Sequence, residues 1–170
     1  MKNTLRFIAV LAILSLTIPT IAQTNAKFGY IDSNELIELM PSKDTVEAKL
    51  IDYQKSLERQ IENMILEYQN KVQEYQANLA TMSDIIRQTK EKEITDLEQR
   101  IQAFQQNAEL DFQNKQAELY NPLIEKAKTA ISQVAEENGY TYIFDAGVGI
   151  LLYYEKGDNI LPLVRAKLGI

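Results

Sequence analysis

Hydrophobic positions in the middle of the chain recur every eleven residues. Leu50, Ile61 and Val72 stand in step, as do Tyr53, Met64 and Tyr75, and Leu57, Tyr68 and Leu79. The steps of 3, 4 and 4 average 11/3 residues, nearer to the natural α-helical turn than the 3.5 of a heptad coiled coil. Such a helix holds one apolar seam against a partner with little supercoiling. A second stripe, Ile94, Leu97, Ile101, Phe104, Ala108, Phe112 and Leu119, follows an interruption at Met82–Gln88 and supplies that partner. From Lys43 to Asn121 there are 79 residues without Gly or Pro. The pattern predicts an antiparallel helical hairpin with arms of about 38 residues, each roughly 55 to 60 Å long.

The flanks read as a small body. Phe28-Gly29-Tyr30-Ile31 is a short strand, and Asp32 with Glu35 has capping-box spacing before a short helix that Pro41 ends. Pro122 falls inside the returning helical pattern and is expected to bend or interrupt it where arm becomes body. Leu123, Ala127, Ile131 and Val134 then continue an apolar face to the stop signal Asn138-Gly139. Tyr140–Phe144 and Ile150–Tyr154, joined through Gly147 and Gly149, predict a β-hairpin. Asp158 or Asn159 can cap a last helix carrying Ile160, Leu163, Val164 and Leu168.

The expected fold is therefore α+β and mostly α, a long helical tentacle projecting from a small β-rich body. The expected parts are a leader over 1–22, a first body part over 23–42, the tentacle over 43–121, and a second body part over 122–170. The leader is a secretory signal peptide. Lys2 and Arg6 precede an apolar run from Phe7 to Ile18, with Pro19 and Thr20-Ile21-Ala22 before the cut. Such a run is short for a membrane span. No Cys follows the cut, so no lipid anchor is expected there.

Cysteine is absent throughout, so stability has to come from packing or assembly. Without the leader and the tentacle only 69 residues remain, a marginal core for one chain, which predicts association of copies. The strands, each too short to persist alone, would form one sheet whose edges neighbouring copies cover. Candidate residues for oligomerisation and the body core are Tyr30, Tyr140, Tyr142, Phe144, Ile150, Leu152 and Tyr154.

Charge narrows the partners. After cleavage 16 basic and 24 acidic residues leave a net charge of −8, and the tentacle alone, with 10 and 15, carries −5. That surface gives no electrostatic reason to bind nucleic acid or an anionic membrane. Catalysis is not expected either. With no His and no Cys, imidazole acid–base chemistry, thiolate nucleophiles and the usual zinc ligand sets are missing, and no metal or other cofactor is expected. Asp32, Asp145 and Asp158 sit where caps and turns need carboxylates.

The order of elements resembles the Skp/OmpH family of periplasmic chaperones. The residues carrying the likeness are Phe28–Asp32, Pro122–Ala127 running into Ala130-Ile131, Val134–Tyr140, Phe144-Asp145, and Leu152–Tyr154 followed by Asp158. The resemblance implies a homotrimer in the periplasm whose three tentacles enclose a cavity. Unfolded outer-membrane β-barrel proteins would be held there without nucleotide. The family's best-known members are basic, whereas this chain is acidic, so strong lipopolysaccharide binding is not expected.

Tyr53, Met64, Tyr68 and Tyr75 share the seam and read as packing. Candidate client contacts lie off it: Ile51, Leu66 and Ala77 on the first arm, Ile85 and Ile86 at the tip, and Leu110 on the return. The competing reading is a coiled-coil adaptor or spacer of the cell envelope that binds one fixed folded partner.

Overall fold

The structure, a computed structural model, describes residues 26–154 and 158–170; the expected signal peptide lies outside the described residues. In chain order the elements are β1 (Phe28–Ile31), α1 (Ser33–Glu38), α2 (Ser42–Asn78), α3 (Asp84–Glu137), β2 (Tyr142–Asp145) and α4 (Leu161–Leu168).

The eleven-residue repeat is borne out in the burial of α2. Val46 and Leu50 are buried and Tyr53, Leu57, Ile61, Met64, Tyr68, Val72 and Tyr75 half-buried, while most positions between them are exposed. Leu97 on α3 is only 1% exposed, and Ile101, Phe104, Ala108, Phe112 and Leu119 are half-buried along the same face. At 37 residues, α2 extends about 55 Å. The reversal is tighter and earlier than expected. Residues 79–83 make the turn, Thr81 and Met82 donating to the Asn78 carbonyl, and Ser83 caps α3 by accepting from the Ile86 amide. Because a serine cap starts the new helix there, residues 84–88 are already helical.

Pro122 does not interrupt the chain: α3 runs through it to Glu137. Proline removes one bond, to the Glu118 carbonyl, but Leu123 beside it is buried and Tyr120 packs on the core, so tertiary contacts hold both sides of the gap. Beyond it Leu123, Ala127, Ala130 and Val134 form the inner stripe of the body. They meet Ile31, Leu36, Met40, Ile160, Leu161 and Val164 in one cluster. Asp32 caps α1 by accepting from the Glu35 amide at 3.0 Å, and Lys43 joins α1 to α2 through Glu38 (2.7 Å) and Glu47 (2.9 Å). Asn159 accepts from the Leu161 amide at 2.8 Å at the start of α4, which Gly169 ends in the left-handed region.

The sheet corrects one expectation. β2 does not fold back on Ile150–Tyr154 as a hairpin; it pairs parallel with β1, Phe28 opposite Tyr142 and Ile31 opposite Asp145. The other edge of β1 is taken by Asn159, in a parallel bridge to Tyr30 with the Ile160 amide donating to the Tyr30 carbonyl. After β2 the described residues 146–154 carry the chain over the sheet, Tyr154 lying against Tyr30. A segment spanning the sheet cannot also pair along its edge, and Ile150–Tyr154 is not a strand in the single chain.

Candidate functional site

Two surfaces stand out, the outer face of the sheet and the outer side of the arm. Side chains alternate across a strand. Ile31 and Ile143 accordingly turn toward the helices, and Gly29 leaves them room: a Cβ there would sit 2.9 Å from both Ile143 and Tyr140. Phe28, Tyr30, Tyr142 and Phe144 take the opposite face. Phe28 stacks on Tyr142 with ring centroids 5.8 Å apart and lies 6.1 Å from Phe144, while Tyr154 covers Tyr30 at 4.1 Å.

Of the residues expected in the body core, only Tyr30 is buried in the single chain, and Tyr140 is half-buried. Tyr142, Phe144 and Tyr154 are exposed, Ile150 is 79% exposed and Leu152 98%. Phe28, Tyr142 and Phe144 stack into an uncovered aromatic surface, of a kind that monomeric proteins seldom leave open. Phe28, read from the sequence as strand, was not among those candidates, although its period-2 spacing from Tyr30 carries the signal.

The edge of β2 is also open. The amides of Tyr142 and Ala146 point to β1, donating to Lys27 and Ile31. By alternation the backbone groups of Ile143 and Asp145 point away from it, and no strand among the described residues pairs there. Beside Ile143, a cavity of about 530 Å³ opens between Ile37, Tyr120, Ile124 and Ile131.

Asp145 locks the end of β2 to α1. Its carboxylate accepts from the Ser33 amide, the Ser33 hydroxyl and the Gly147 amide, while the Asn34 side chain donates to the Gly147 carbonyl. Partial burial pushes the Asp145 pKa up, but the donors at Ser33 and Gly147 outweigh it and hold the carboxyl below its ordinary value. Every oxygen contact is structural. Among the described residues no three His, Cys, Asp or Glu side chains gather to hold a metal, and no helix is long and apolar enough to cross a membrane.

On the arm, Ile51, Leu66, Ala77, Ile85, Ile86 and Leu110 are all exposed, Leu66 by 55% and Ile85 by 79%. Within one arm they do not converge. Ile51 and Ala77 are separated by about 39 Å of helix. The hairpin register, with Lys71 beside Glu93 and Lys115 over the Tyr53 ring, puts Leu110 level with the stretch around Leu57 and away from Leu66. Ile65 and Ile124, exposed like these, were not read from the sequence.

A family model described as Outer membrane protein (OmpH-like) matches residues 27–168. The chaperone protein Skp of Photorhabdus laumondii is 26% identical over 147 residues, covering 84% of this chain and 86% of the relative. Skp of Pectobacterium atrosepticum is 23% identical, covering 73% and 75%. The crystal structure of an outer membrane chaperone (OmpH-like) from Caulobacter crescentus CB15, by its own description, superposes with a TM-score of 0.70 at 12% identity. It covers 84% of this chain and 83% of that one, a likeness of fold.

Proposed function

The chain belongs to the OmpH-like family, and from that premise we propose that it is an ATP-independent holdase of the periplasm. Three copies join through their bodies, and their arms enclose unfolded outer-membrane β-barrel proteins and keep them from aggregating. The observation that carries this reading is an arm about 55 Å long rooted in a body whose aromatic sheet face lies open. A lone chain has nothing to cover Phe28, Tyr142, Phe144 and Leu152, whereas sister copies do, and three bodies brought together set three arms around one space.

The arm suits holding without fuel. Its exposed apolar side chains are single and scattered, so each contributes only a small apolar contact, and a client held by several can still leave. The acidic surface favours clients over lipopolysaccharide or anionic membrane. Delivery to the periplasm through a cleaved signal peptide at 1–22 completes the reading.

Sedimentation velocity of the secreted chain, alone and with two unrelated unfolded β-barrel proteins, tests it. A trimer that takes up either client is the expected result. A monomer would overturn the reading, and a species that ignores both clients but binds one folded partner would favour an envelope adaptor instead.

A further inference from the structure

The two halves of the arm are joined by different chemistry. Among the described residues, the ion pairs bridging α2 and α3 are Lys71 with Glu93 at 3.1 Å and Lys90 with Glu74 at 3.0 Å, both near the tip. The other arm pairs run along a single helix, Lys43 with Glu47, Asp84 with Arg87 and Lys115 with Glu118. Tyr75 and Glu91 add a cross-helix hydrogen bond in the same distal section.

The apolar seam continues through this stretch half-buried, as it is along the middle of the arm. Leu97 is the last buried side chain before the tip; beyond it Ile94, Val72 and Tyr75 are half-buried and Leu79 is exposed. At the root the seam is closed by the buried Val46 and Leu50, and the ion pairs there run along one helix.

We propose that the distal section of the arm, residues 69–93, is an ionic clasp that loosens as ionic strength rises while the apolar root stays shut. Attraction between partly exposed charges is screened by salt, and at about 1 M the screening length is roughly 3 Å. Apolar burial is not weakened by sodium chloride. The end of the arm therefore answers to its ionic surroundings independently of the root. This concerns the arm alone and stands whether or not the holdase reading does.

Hydrogen exchange of the client-free chain at about 20 mM and about 1 M sodium chloride tests it. Exchange within residues 69–93 is expected to accelerate roughly threefold to tenfold, with residues 46–64 and 101–119 unchanged. Reversing one pair, Lys71→Glu with Glu93→Lys, should keep the response, and replacing both by Leu should reduce it. A uniform response along the arm, or none at the tip, would overturn the proposal, and that comparison needs no variant to fold.

Discussion

Ser33 and Asp145 lie 112 positions apart and meet through two hydrogen bonds, amide to Oδ1 at 3.1 Å and hydroxyl to Oδ2 at 2.5 Å. One residue opens α1 and the other closes β2, so this contact ties the chain before the arm to the chain after it. Removing the carboxylate leaves the part-buried Ser33 donors without their acceptor. Asp145→Ala is expected to cost about 2 kcal/mol, read as a lowered denaturant midpoint with an unchanged slope.

The same contact has a pH signature. The Asp145 carboxyl sits below its ordinary value in the folded protein, so the unfolded chain takes up the proton first as pH falls. Its contribution is complete above the unfolded value near 3.8 and is lost as pH drops through the lower folded value. Titrating stability from pH 5 downward should show a steeper loss for the native chain than for Asp145→Asn. Parallel curves would remove Asp145 from the account.

Gly147 is hemmed in by the cap of α1. A Cβ there would stand 2.3 Å from Asp32 Oδ1, the atom that accepts from the Glu35 amide. Moving that oxygen breaks the cap. Gly147→Ala should therefore lose about 2 kcal/mol. Gly149 has open space around it but a φ of +71°, so Gly149→Ala meets only backbone strain of roughly 1 kcal/mol. Melting temperatures of the two variants rank them.

Leu97, 1% exposed, is the most deeply buried side chain of the arm. Leu97→Ala is expected to cost about 3 kcal/mol by leaving a cavity in the seam, as seen by chemical unfolding, with the sedimentation behaviour of the body unaltered.

The exposed arm residues make the opposite prediction. Replacing Leu66, Ile85, Ile86 and Leu110 together by Ser should leave the melting temperature nearly unchanged, since none is in the seam. It should reduce suppression of aggregation of a diluted unfolded β-barrel protein. Full suppression by the folded variant would exclude these positions as client contacts.

The arm was legible in the sequence because its seam is a local periodicity: each apolar residue of α2 predicts the next one three or four places on. The ionic clasp was not, since pairing Lys71 with Glu93 depends on where the turn falls, and Ser83 put it earlier than the apolar pattern alone implied. Pro122 does not interrupt the helix, because local propensity speaks for one missing bond and not for Tyr120 and Leu123, which pack on either side of it. Ile150–Tyr154 reads as a strand because branched and aromatic residues fit a half-covered pleated surface. A single chain offers it no such surface, and the segment instead crosses the sheet with Tyr154 on Tyr30. Its residues Ile150, Leu152 and Tyr154, candidates for oligomerisation and the body core, lie exposed in the single chain.

β1 finds both of its backbone partners, β2 and Asn159, more than a hundred residues downstream. A nascent chain therefore cannot complete its sheet until Asn159 has emerged, whereas the hairpin needs only its own neighbours and can form at once. Contacts that distant slow folding. The limb is thus ready before the base that carries it, and β1 waits, unpaired, until the stretch beyond the limb has been made.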